Sequence, residues 1–121
     1  NVMMCLGEQF AVICLESIDD KKESKNVVEH LKQDGKEIIA ISETQMHQFA
    51  GNMLQVLGAF EQRYIVMSSA AFESLTPDQI KNLEKHGEIL SSGLNTIETC
   101  GGGSARCMMA EVFLPKQNTV E

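Results

Sequence analysis

The chain repeats itself at a spacing of about 51 residues, a period that signals stacked supersecondary units rather than one continuous sheet or helix bundle. Asn1-Val2-Met3-Met4-Cys5-Leu6-Gly7 aligns with Asn52-Met53-Leu54-Gln55-Val56-Leu57-Gly58. Phe10-Ala11-Val12-Ile13-Cys14-Leu15 then corresponds to Tyr64-Ile65-Val66-Met67-Ser68-Ser69, and Glu37-Ile38-Ile39 to Glu88-Ile89-Leu90. Each unit reads strand, strand, helix, strand. Such a unit leaves one apolar face bare, so its neighbours must stack to cover it.

Local signals agree with that order. Gly7-Glu8-Gln9 reads as a hairpin turn. Residues 19–34 place Val27, Val28 and Leu31 on one face among charges, which predicts a surface helix that Gly35 ends. Ser42-Glu43-Thr44-Gln45 has capping-box spacing for a short helix running through Phe49, with Gly51 as its stop. Thr76, Pro77 and Gln79 announce the helix of the second unit, which Gly87 closes. Residues 58–62 and 91–93 read as connectors, and residues 96–99 as a strand.

The formal charge of −7 and pI near 4.9, with no cluster of Lys or Arg, exclude a nucleic-acid or anionic-membrane surface. No apolar run reaches the roughly 18 residues that span a bilayer. Four cysteines, at positions 5, 14, 100 and 107, show no CxxC pair and no metal-ligand spacing with the histidines. Cys5, Cys14 and Cys100 sit in apolar or strand-like runs and are expected to be buried reduced thiols of a cytoplasmic protein, with neither metal nor cofactor. The methionines, including Met108 and Met109, read as core fillers, and His30, His47 and His86 as exposed histidines on an outer helical layer.

Chemistry concentrates in Gly101-Gly102-Gly103-Ser104-Ala105-Arg106-Cys107. The glycines let backbone amides approach a ligand, and Arg106 sets a permanent positive charge beside the sulfur. Both favour a thiolate, so Cys107 is the candidate nucleophile. Gly102, Gly103 and Ser104 are candidate amide donors to a developing negative charge. A phosphate loop would need a Walker lysine and a longer spacing, which this glycine run lacks. Glu98 and Glu111 flank the motif, but on strands either can face solvent, and neither is assigned a site role.

Residues 101–115 (GGGSARCMMAEVFLP), together with 1–18 (NVMMCLGEQFAVICLESI) and 41–56 (ISETQMHQFAGNMLQV), resemble the guanidino-group-modifying enzymes of the arginine deiminase, or pentein, superfamily. The likeness is to the branch of citrulline-utilising hydrolases and amidinotransferase-like proteins, and it covers nearly the whole chain. It implies a five-bladed α/β propeller of ββαβ blades. The chain would then supply blades at 1–42 and 52–92, a connecting helix at 43–51, closing strands and the cysteine segment at 93–115, and a tail at 116–121.

The resemblance also implies a mechanism. The cysteine equivalent to Cys107 attacks the central carbon of a guanidino or ureido amino acid and forms a covalent thiouronium-type intermediate. A histidine two residues before Asn1 moves the protons, so the chain is expected to be the C-terminal part of a longer protein, inactive without its N-terminal remainder. Asn1, where several relatives carry a substrate-holding aspartate, can hydrogen-bond but cannot neutralise a cation, which counts against arginine-like substrates and is compatible with a neutral ureido group such as that of citrulline. Asn52 is its repeat equivalent. The expected ligand set is Asn1, Asn52, Gly102, Gly103, Ser104 and Arg106 around Cys107. A homo-oligomer is left open. The rival readings are a non-catalytic binding module of the same fold and a redox thiol protein using Cys107 with Cys100.

Overall fold

The computed structural model describes residues 2–117, so Asn1 lies outside the described residues. The first unit contains β1 (Met4–Leu6), β2 (Phe10–Ile13), α1 (Lys21–Gln33) and β3 (Glu37–Ala40). After α2 (Glu43–His47) the second unit contains β4 (Leu54–Leu57), β5 (Arg63–Ser68), α3 (Ser69–Ser74), α4 (Pro77–Glu84) and β6 (Glu88–Ser92). A last helix, α5 (Asn95–Gly101), leads to a 3₁₀ turn at Arg106–Met108.

Each unit folds as a three-stranded sheet with its second strand in the middle, antiparallel to the first and parallel to the third. The hairpin supplies the antiparallel pair. The helical crossover supplies the parallel one, since parallel neighbours need a long connection. Cys5 pairs with Val12 and Val12 with Ile39, as Leu54 pairs with Val66 and Val66 with Leu90. The fold is therefore α/β, with two small sheets and five α-helices among the described residues.

Alternation along β2 explains how the units stack. Ala11 and Ile13 point to one face, where Leu31 and Val27 of α1 cover them. Phe10 and Val12, together with Cys14 just beyond the strand, point to the other face and join Ile65, Met67, Ala71, Leu75 and Leu83 of the second unit in one core. A strand buried on both faces reads as a continuous apolar run. The bare face of the first sheet is thus covered by the strands and helices of the second unit.

The seam is also polar. Gln45 and Gln79, the third residues of the two capping boxes, each return a side-chain bond to their own cap, and Gln45 Nε2 also donates to Gln79 Oε1 at 2.6 Å. Gln79 Nε2 reaches the Ala40 carbonyl at 2.8 Å, and Gln45 Nε2 the Ser74 carbonyl at 2.8 Å. Residues that begin helices therefore also tie the units together.

Several expectations are corrected. Residues 96–99 and the expected closing strands are not strands: Thr96, Ile97 and Thr99 lie within α5, and no strand follows Ser92 among the described residues. The β-branched residues mislead because strand propensity is weak against tertiary context, and Gly102, at φ 68°, closes the helix instead. Ser68 ends β5 and caps α3 by accepting from the Ala71 N–H, so the second unit has two helices where one was expected. Cys100 is exposed on α5 rather than buried, and Met108 and Met109 are exposed rather than in the core.

His86 is not a surface histidine. It stacks on Phe10 with ring centroids 4.9 Å apart and meets Glu37 at 2.8 Å, joining the two units. Gly35, at φ 77°, is the expected helix stop, whereas α2 ends at His47 and the left-handed residue after it is Phe49, at φ 64°. No helix among the described residues is long and apolar enough to cross a membrane.

Gly51 is required for another reason: a Cβ there would collide with the Val2 carbonyl oxygen. The segment entering β1 passes directly over the residue that precedes Asn52. Gly51→Ala is therefore expected to destabilise the protein by about 1–3 kcal/mol, the usual range for overpacking. Urea unfolding is the check, and an unchanged midpoint would contradict this packing.

Candidate active site

Helix α5 and the loop behind it build the seat of Cys107. Gly102 takes the left-handed conformation, and its N–H donates to the Glu98 carbonyl at 3.2 Å. That amide is engaged in ending the helix. The chain then turns inward. Ser104 and Ala105 are buried, the Ser104 carbonyl accepts the Cys107 N–H at 3.1 Å, and the Ala105 carbonyl accepts the Met108 N–H at 3.2 Å. These two bonds close the 3₁₀ turn and hold the cysteine outward.

Gly103 lies under the sulfur: a Cβ there would come within 2.9 Å of Cys107 Sγ. Only glycine permits that approach without displacing the thiol.

Asn52 comes from the other side, at the end of the α2 turn and before β4. Its side chain is fully buried, and its backbone N–H donates to the Phe49 carbonyl at 2.9 Å. Nδ2 donates to Cys107 Sγ at 3.2 Å, while Oδ1 accepts the Arg106 N–H at 3.2 Å. One amide thus engages both the Cys107 sulfur and the backbone of the residue before it, across 55 positions of sequence. An amide can do this because it carries a donor and an acceptor on one rigid group.

The electrostatic result is a thiol with a lowered pKa. The Asn52 hydrogen bond is the largest cause, followed by a backbone hydrogen bond from Ser104, and the Arg106 charge acts in the same direction. Hydrogen bonds donated to sulfur favour the charged form. Burial opposes it only weakly, since Cys107 is exposed. Cys5 is the contrast within the same chain, its thiol pushed up to about 11 by burial. An exposed thiol with a lowered pKa has the environment of a reactive cysteine, whereas a buried thiol with a raised one is inert.

Arg106 is partly buried, and its Nη1 is buried without a hydrogen-bond partner among the described residues. Glu98 is not on the strand that its sequence suggests. It lies on α5, is only 8 % exposed, and accepts from Ser104 Oγ at 2.8 Å. Its one signal was compositional: it is the only charged residue between Glu88 and Arg106. Glu111 is exposed.

His30 and His47 are exposed on α1 and α2. A cleft of about 630 Å³ is lined by Arg63, Phe72, His86 and Glu88, and one of about 250 Å³ by His47, Phe49, Asn95 and Glu98. Neither lining includes Cys107, whose sulfur lies on an open face.

A family model described as N,N dimethylarginine dimethylhydrolase, eukaryotic, matches residues 1–114. The chain belongs to this family. No curated protein and no solved structure matches it. The dimethylarginine dimethylhydrolase match is consistent with the guanidino-modifying superfamily expected from the motif, but it does not specify an amidinotransferase or a citrulline hydrolase. It includes Asn52, Glu98, Ser104, Arg106 and Cys107.

Removing the Asn52 donor raises the thiol pKa and lowers the thiolate fraction at neutral pH. Asn52→Ala is expected to slow alkylation of Cys107 by iodoacetamide at pH 7 by about three- to tenfold, with less effect at pH 10 where both thiols are ionised. Peptide mass spectrometry reads this directly, because cleavage after Arg106 separates Cys107 from Cys100. An equal rate at both pH values would contradict the assignment.

Proposed function

We propose that Cys107 is the nucleophile of a hydrolase that cleaves a C–N bond of a guanidino amino acid, with methylarginines as the substrate class. The observation that carries this is the Asn52 side chain donating to an exposed sulfur of lowered pKa. Family membership supports the substrate class, since the family's description names dimethylarginine.

In the proposed reaction the Cys107 thiolate attacks the central guanidinium carbon and forms a C–S bond. The tetrahedral adduct collapses as the C–N bond to the methylated nitrogen breaks, and the amine leaves with a proton. Water then adds to the thiouronium carbon, the C–S bond breaks, and a ureido amino acid and the thiolate are released. In this reading both proton transfers fall to a histidine that the resemblance implies two residues before Asn1, within a five-bladed propeller that extends beyond this chain. The rest of that propeller would also supply the carboxylates that pair with a buried guanidinium, whose desolvation is otherwise prohibitive.

Within the chain, Asn52 holds the sulfur as thiolate, Gly103 leaves room beside it, and Ser104 and Arg106 supply a donor and a charge. Asn1, the repeat equivalent of Asn52, is a candidate substrate contact. A reducing compartment such as the cytoplasm keeps the exposed thiol ready.

The test is turnover by the intact protein of asymmetric dimethylarginine, arginine and citrulline, following release of dimethylamine or ammonia. The expected result is dimethylamine release, reduced by at least about a thousandfold in Cys107→Ser, as for other nucleophile removals. Ammonia release from citrulline, or transfer to an added amine, would move the activity to another branch of the superfamily. Binding without turnover, or a Cys107→Ser variant that keeps its activity, would overturn the hydrolase reading.

A further inference from the structure

The mechanism above uses Ser104 but leaves its partner unexplained. Glu98 is a buried carboxylate on the last helix, and burying a carboxylate is costly unless it is paired or hydrogen-bonded. The partner it has is the Ser104 hydroxyl, at 2.8 Å. Ser104 is fully buried and faces Cys107 with its backbone: its carbonyl accepts the Cys107 N–H at 3.1 Å, on the loop that brings the sulfur to the Asn52 amide.

Ser104 follows Gly102 and Gly103, the first of them left-handed, so little in the local backbone fixes where it sits. Its side-chain bond to α5 does. Helix and loop are joined twice over six residues, once by Gly102 N–H to the Glu98 carbonyl and once by Ser104 Oγ to the Glu98 carboxylate.

We propose that Glu98 is a positioning residue for the nucleophile: through the Ser104 hydroxyl, its buried carboxylate fixes the loop that carries Cys107. The inference rests on Cys107 being the reactive thiol. It also reverses the naive sign of the charge. A carboxylate acting on Cys107 through space would disfavour the thiolate, so removing it would lower the thiol pKa. A carboxylate acting through Ser104 holds the loop where the Asn52 amide donates to the sulfur, so removing it raises that pKa. Gln separates the two cases, because it removes the charge and keeps an acceptor for Ser104.

The experiment is the pH profile of Cys107 alkylation by iodoacetamide in the intact protein, read on the peptide that begins at Cys107. Glu98→Ala and Ser104→Ala are each expected to raise the midpoint by about half to one pH unit, and their combination to do no more than either alone. Glu98→Gln is expected to keep the midpoint of the parent protein. A midpoint that falls or stays put in Glu98→Ala, or a Gln variant that behaves as the Ala variant does, would overturn the proposal. Should Glu98→Ala fail to fold by circular dichroism, Ser104→Ala and Glu98→Gln carry the same decision. Turnover by Cys107→Ser would remove the hydrolase reading without deciding the midpoint comparison, so the two failures are distinguishable.

Discussion

A buried amide holds this site together. Asn52 has no solvent to satisfy it, so leaving its polar atoms unmatched would cost on the order of 1–3 kcal/mol. The fold meets that demand with the sulfur of Cys107 and the backbone N–H of Arg106, both on the glycine-rich loop. The same requirement that docks the loop against the second unit therefore also places a donor on the thiol. Stability and reactivity are coupled through one side chain, and Gly51 matters because it lets the entry to β1 cross tightly beside it.

The repeat gives this arrangement its frame. Stacking leaves β2 buried on both faces, with α1 on one side and the second unit on the other. The paired capping-box glutamines and the His86–Glu37 contact add directional bonds to an apolar seam. Asn52 then occupies the start of the second unit, where the chain passes from the α2 turn into β4. An asparagine at that point is held by backbone on one side and by the glycine-rich loop on the other.

Much of the frame was legible in the sequence because it rests on short-range rules. The 51-residue spacing, the two capping boxes and Gly35 each have a local cause, and each appears in the structure. The failures lie where tertiary contacts override propensity. Thr96, Ile97 and Thr99 look like a strand and form a helix whose buried acid is satisfied six residues later. Phe49 adopts the left-handed conformation that a reader assigns to Gly51. His86 looks like a surface residue because its neighbours are charged, yet its partners Phe10 and Glu37 are distant in sequence. Cys107 and Asn52 were recognisable as candidates, but their contact was not, since nothing local links positions 55 residues apart.

In the proposed reaction Cys107 forms a covalent bond to the guanidino carbon during turnover. Acid quenching of the intact protein during steady-state reaction with asymmetric dimethylarginine, followed by peptide mass spectrometry, tests it most directly. The expected result is an adduct on the peptide that begins at Cys107, with the mass of the substrate less dimethylamine. Product formation with no adduct there, or with the adduct on another side chain, would contradict it.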